Sequence, residues 1–315
     1  MQHRAENPFL LIGHATDSVC RLVGEALDAL GCEVIRTAAP LAAPFALGWR
    51  IDTDPCCDAR TWRDADRLPR QIAGVLVRSS GECIDPDRWD PLDLAYVRTE
   101  TQAALIAWLW SLPCPVVNRP GADLWFRPSH SYSEWHERLA RCGLPVAPVC
   151  YTNEIGVARD FAAQWAGRAT YVPFTSPSRY PLATAHDWDE LARLVSYVPV
   201  CLIAPASHST HATVVGDRVV FDREDAGAIG ALEPGLVRLA RELELDFVQV
   251  EIAIGSSGPH CVKADPYPVV ERHDAAARST IVARLVELLL DDARIHRTGP
   301  PEARRLATRP PECVR

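Results

Sequence analysis

Two runs of alternating side chains, Phe247 to Ile254 and His260 to Ala264, are separated by Gly255-Ser256-Ser257-Gly258. Short runs rich in β-branched and aromatic residues, joined by a glycine-flanked turn, form a β-hairpin. A period of two puts Phe247, Gln249 and Glu251 on one face of the first strand and Val248, Val250 and Ile252 on the other. Cys261, Lys263 and Asp265 alternate in the same way on the second strand. Antiparallel pairing then brings Glu251, Lys263 and Asp265 to one surface, ahead of a rigid Pro266-Tyr267-Pro268 exit. Paired carboxylates suit a divalent cation, and a lysine between them opposes one. The pattern predicts that the Lys263 ammonium replaces the cation between Glu251 and Asp265. The alternative is an exposed Lys263 in a weak surface pair.

The 315 residues leave room for two domains or more. A hydrophobic fraction of 48% and a charged fraction of 23% are those of an ordinary globular chain. The formal net charge of −8 counts against nucleic acid or an anionic membrane as partner. No apolar run approaches the ~18 residues of a membrane span, and no apolar signal core precedes the first strand. A cytoplasmic protein is expected. The 11 cysteines contain no CxxC pair, so they read as reduced, mostly buried thiols rather than a disulfide framework or a zinc site. Among the 33 Lys+Arg, Lys263 is the single lysine. Any chemistry that needs lysine must use it.

Phe9-Leu10-Leu11-Ile12-Gly13 reads as a buried strand, then a helix capped by Thr16 or Asp17 and closed by Gly31, then the strand Glu33 to Arg36. This opening predicts an α/β domain with a parallel sheet, without a GxGxxG fingerprint. Ala38 to Arg70 reads as irregular. Strands follow at Ala73 to Arg78 and Pro115 to Asn118, around a helix from Leu92 to Trp110 in which Trp108 and Trp110 are packing residues. The second half reads as a helix from Ser131 to Cys142, a strand near Val149 and a helix capped by Asn153. The strand Ala169 to Pro173, a loop to Pro181, the helix Asp187 to Ser196 and the strand Val200 to Ala204 come next. Ala212 to Val215 and Arg218 to Phe221 form a hairpin about Gly216-Asp217. Helices from Glu233 to Glu242 and Asp274 to Asp291 complete the fold, before a Pro/Arg-rich tail that reads as mobile.

Several phrases, in this order, resemble those of the ATP-grasp superfamily, in particular the carboxylate–amine ligases that mature graspetides such as microviridins. Val116-Val117-Asn118-Arg119-Pro120 is similar to the V-N-x-P that closes the pre-ATP-grasp domain, and Gly143-Leu144-Pro145-Val146-Ala147-Pro148 to the G-L-x-V-P helix exit. Thr213 to Val220 resembles the V-V-G-D-x-V hairpin, Val250-Glu251-Ile252-Ala253 the G-V-D-x-A strand, and Ala264-Asp265-Pro266-Tyr267-Pro268 the E-V-N-P-x-P turn. The resemblance implies an α/β (α+β) fold: a pre-ATP-grasp domain over 1–128, grasp subdomains over 129–200 and 201–296, and a flexible tail over 297–315. It also implies ATP and Mg²⁺ as cofactors of an active enzyme that forms an acyl phosphate and then an amide or ester.

The chain departs from that pattern where the nucleotide would bind. Lysines expected near Ser131-Tyr132-Ser133 and at Val172-Pro173 are absent, and the adenine hinge falls at Ile203-Ala204-Pro205, where proline offers no N–H. His211 stands for an arginine, Lys263 for a glutamate and Asp265 for an asparagine. The remaining candidates are Arg168, Arg179, His211 and Arg218 for phosphates, and Glu251 and Asp265 for metal. The leading expectation is a degenerate ATP-grasp protein, without a cofactor, that binds a peptide, a metabolite or a catalytic relative. A homodimer is compatible with it. The alternative is an active ligase using arginine and histidine for the missing lysines. A third reading is a metal- or thiol-dependent protein built on His208, His211, His260, Cys261 and His273.

Overall fold

Phe9–Ile12 (β1) is buried at every position, as a central strand of a parallel sheet covered on both faces must be. In the computed structural model, which describes residues 7–42, 45–50, 59–63, 72–79, 87, 89–121, 130–174, 178–222, 226–255 and 258–291, it opens a β-α-β unit. Helix α1 (Ser18–Ala29) starts at Asp17, whose carboxylate accepts the Cys20 N–H at 2.8 Å. It stops at Gly31, which takes φ 76°, a left-handed value that suits glycine. Strands β2 (Val34–Thr37), β5 (Gly74–Val77) and β6 (Val116–Val117) complete the parallel sheet, in the order β2-β1-β5-β6. The short hairpin β3 (Ala46–Arg50) and β4 (Ala59–Arg63) falls in the stretch expected to be irregular. Its two five-residue runs lie among prolines and are too short to show a period. Leu10, Ile12, Val75 and Val77 pack under helix α2 (Pro91–Ser111) through Leu105, Trp108 and Leu109. Phe9, Leu11 and Leu76 face the opposite way, toward α1 and the last helix.

Helix α3 (Tyr132–Arg141) leads to an antiparallel second sheet of β7 (Val149–Thr152), β8 (Ala169–Val172), β9 (Tyr180–Leu182) and β10 (Val200–Ile203), in the order β7-β10-β8-β9. Helices α4 (Ile155–Ala163) and α5 (Ala185–Val195) cover one face of it. The N-cap of α4 is Glu154 and not Asn153, since Glu154 O accepts the first intrahelical bond, from Ala158 N at 3.2 Å. Strand β9 overlaps the end of the segment expected to be a loop and runs one residue past it. It contains Pro181, which an edge strand tolerates.

The third sheet has the order β12-β11-β13-β14, from β11 (His208–Val215), β12 (Arg218–Phe221), β13 (Phe247–Gly255) and β14 (Gly258–Asp265). After α6 (Ala226–Ile229), helix α7 (Glu233–Glu242) packs with α3 on the face formed by Ala212, Val214, Val248, Val250 and Ile252. Helix α8 (Ala275–Leu290) then returns to the first sheet. Among the described residues no helix is long and apolar enough to cross a membrane. The Pro/Arg-rich tail lies outside the described residues.

Two polar ties join the first sheet to the third. Asn118, at φ 56°, follows β6 and is buried. Its amide donates to Phe247 O (2.7 Å) and Pro266 O (3.0 Å), and its carbonyl accepts from Asp246 N (3.1 Å) and Phe247 N (2.7 Å). Arg78 pairs with Asp17 at 3.1 Å, donates to Pro268 O at 2.8 Å and lies 5.5 Å from the Phe247 ring centroid.

Candidate functional site at the joint of the second and third sheets

The register of the third sheet sets opposite one another His211, Glu251 and Lys263 in one row, and Thr213, Gln249 and Asp265 in the next. The face expected from alternation therefore forms, with one change. The ladder slips between Glu251 and Ile252, so Ile252 pairs with Cys261 and Val262 is the extra residue of a β-bulge. Cys261 consequently joins the apolar core and leaves the Lys263 face.

Glu251 is the centre of the polar face. Its Oε1 accepts from Arg179 Nη1 at 2.6 Å, and Lys263 Nζ stands 3.9 Å from Oε2. Arg179 lies just before β9, so the pair joins the second sheet to the third. Burial pushes the Glu251 carboxyl up, but the Arg179 hydrogen bond and charge, with Lys263 and His211, outweigh it and hold the group below the usual carboxylate range. Burial and the Arg272 charge hold the His211 imidazole below its usual value against the pull of Glu251. Lys263 does not lie between two carboxylates: Asp265 is opposite Gln249, and its Oδ1 accepts the Tyr267 N–H at 2.9 Å in an Asx turn.

Beside this row lies a buried network. Asp222 Oδ1 meets His273 Nδ1 at 3.0 Å, and His273 Nε2 is 2.7 Å from Thr213 Oγ1 and 3.2 Å from Gln249 Nε2. Arg272 Nη1 donates to Gln249 Oε1 at 3.1 Å, which fixes the amide orientation and makes His273 Nε2 an acceptor. The arrangement resembles an acid–imidazole–hydroxyl relay, but Thr213 has no exposed surface, so it serves packing and not nucleophilic attack.

The other wall of the joint is apolar. Tyr132, Val172, Cys201 and Ile203 from α3 and the second sheet bury against Ala253 and Val262 of the third. Tyr132 and Tyr151 stand near Cys201, and the Tyr151 ring stacks on Phe174 at 5.8 Å. The Tyr132 hydroxyl is buried and has no hydrogen-bond partner among the described residues.

Of the cations expected at phosphates, Arg179 and His211 reach this joint. Arg168 is exposed in the left-handed turn after α4, and Arg218 is exposed beside the Gly216-Asp217 turn; neither pairs with Glu251. Arg272 was not singled out from sequence, because it sits in a 3-10 turn after the Pro266-Tyr267-Pro268 exit without any periodic signal. His208 and His211 lie within β11, three apart and so on opposite faces, which removes them as a ligand pair. Among the described residues no group of three His, Cys, Asp or Glu could hold a metal ion.

No protein-family model and no curated protein matches the sequence. Solved structures do. The macrocyclase MdnC of Microcystis aeruginosa MRC, bound with precursor peptide MdnA, superposes with a TM-score of 0.67 at 13% identity, over 90% of this chain and 99% of that one. A RiPP-associated ATP-grasp ligase of Chryseobacterium gregarium, solved with ADP and a leader and core peptide, gives 0.65 at 17% over 90% and 96%. ATP-grasp ligase PsnB with its minimal precursor gives 0.65 at 18% over 91% and 99%. The match covers about nine-tenths of the chain, and the chain has the ATP-grasp fold.

Proposed function

We propose that this chain is an ATP-grasp-fold protein whose nucleotide and metal site has diverged, and that it acts by binding a peptide, a metabolite or a partner protein. The observation that carries this reading is Glu251, the best match to a metal-holding acid, which is taken by Arg179 at 2.6 Å with Lys263 at 3.9 Å. Magnesium needs several oxygen ligands with free lone pairs. Here one carboxylate is neutralised by arginine, Asp265 holds a backbone N–H, and a lysine stands opposite. These residues do not fit a magnesium ion, and no ATP-dependent step is derived for them. The solved neighbours that hold leader, core or precursor peptides support a peptide as the bound partner.

An active ligase is the reading that the cluster of Arg179, Lys263 and Arg272 would favour, since together they offset phosphate charge. It requires Arg179 to leave Glu251. Electron paramagnetic titration with Mn²⁺, a stand-in for Mg²⁺, separates the two. The native protein should show no saturable site at about 1 mM or below, and Arg179→Met with Lys263→Glu should create one. Tight Mn²⁺ binding by the native protein, or none by the double variant, would count against the reading.

A further inference from the structure

We propose that the Arg179–Glu251 pair is an autoinhibitory latch that holds the joint between the second and third sheets closed, so that a ligand gains access only when this pair opens. The inference rests on the preceding reading of Glu251 as neutralised by the protein itself. Arg179 and Glu251 belong to different sheets, meet at 2.6 Å, and keep only 26% and 15% of their side-chain surface exposed.

The contact beneath the latch is small. The second sheet contributes Val172, Cys201 and Ile203 to it, and the third contributes the short side chains Ala253 and Val262, with Tyr132 from α3, which packs on the third sheet. Hydrophobic gain scales with the apolar area removed from water, so this cluster adds less than the larger core under α3 and α7. The closed form also carries a buried polar group that has no hydrogen-bond partner among the described residues, the hydroxyl of Tyr132, a residue 8% exposed. A buried donor without a partner favours any state that hydrates it. Opening the joint would wet that hydroxyl and would break the Arg179–Glu251 hydrogen bond as well as uncover this small cluster, so Arg179 and Glu251 weigh in the balance between closed and open forms.

Two buried thiols make this measurable. Cys201 lies in the joint beside Tyr132, whereas Cys261 lies in the separate core under α3 and α7; both are 1% exposed, and burial pushes both thiols up to about 12. Alkylation of Cys201 reads opening of the joint, and that of Cys261 reads deeper unfolding. N-ethylmaleimide labelling of the full chain, resolved by peptide mass spectrometry, is therefore the test. In Arg179→Met and in Glu251→Gln, Cys201 should react about tenfold faster or more, as expected for loss of a charged hydrogen bond, with Cys261 unchanged. The swap Arg179→Glu with Glu251→Arg should slow Cys201 again. Tyr132→Phe, which removes the unpartnered hydroxyl, should slow Cys201 below the native rate. Acceleration of Cys201 and Cys261 together, no change in Cys201, or a swap that fails to restore the slow rate would overturn the latch. The Mn²⁺ titration is independent of these rates, so a failed latch leaves the reading of the metal site standing.

Discussion

Replacing Asn118 should loosen the hairpin that carries Glu251, although the two residues do not touch. The Asn118 side chain makes four hydrogen bonds to backbone groups of Asp246, Phe247 and Pro266. At ~1 kcal/mol net for each, their loss amounts to about 4 kcal/mol, provided that water does not enter. Asn118 also holds φ 56°, where a residue with a β-carbon other than asparagine or aspartate costs about 1 kcal/mol more. Asn118→Ala should therefore cost about 5 kcal/mol and Asn118→Gly about 4 kcal/mol. Alanine is the worse replacement only because of the left-handed backbone. Native-state hydrogen exchange is the suitable assay, since it reads opening local to the hairpin. The Asp246 and Phe247 amides should exchange faster by about three and a half decades in Asn118→Ala and about three in Asn118→Gly. A change below tenfold, or alanine better tolerated than glycine, would refute the argument.

Acid should act on the site in two steps. The His211 value is lowered by folding, so its contribution is full above the unfolded value of about 6.5 and fades as pH falls toward the folded value. The Glu251 value is lowered too, so its contribution is lost only below about pH 4.3. In urea titrations between about pH 8 and pH 3, His211→Gln should flatten the upper limb and Glu251→Gln the lower one. Exchange of those effects between the two variants would contradict the assignment. Thr213→Val keeps the shape of a fully buried side chain but removes its bonds to His273 and Gln249, and should lower stability by about 1–2 kcal/mol in thermal unfolding. No loss would show that the network is not tied together through Thr213.

The strands were legible wherever alternation or an unbroken apolar run marked them. Glu251, Lys263 and Asp265 were expected on one surface, but the register of the Gly255–Gly258 turn alone sets Glu251 opposite Val262; the bulge at Glu251/Ile252 moves it to Lys263, and nothing in either strand alone records that bulge. Strand β9 was hidden by Pro181, which reads as a loop residue unless the strand is known to be an edge. Asn118 stood out within Val-Val-Asn-Arg-Pro, yet its role depends on partners 128, 129 and 148 positions away. A basic group against Glu251 was expected from the sequence, but at Lys263, between Glu251 and Asp265. Arg179, 72 residues before Glu251, takes the short contact because the second sheet folds over the third, and Lys263 across the ladder stays at 3.9 Å.

Calorimetric titration of the native protein with ATP in excess magnesium bears most directly on the central claim. If Arg179 and Lys263 stand where the cation and phosphates would need Glu251, no saturable heat should appear up to about 1 mM nucleotide. Saturable binding in the micromolar range, followed by release of ADP when a peptide carboxylate is added, would contradict the account.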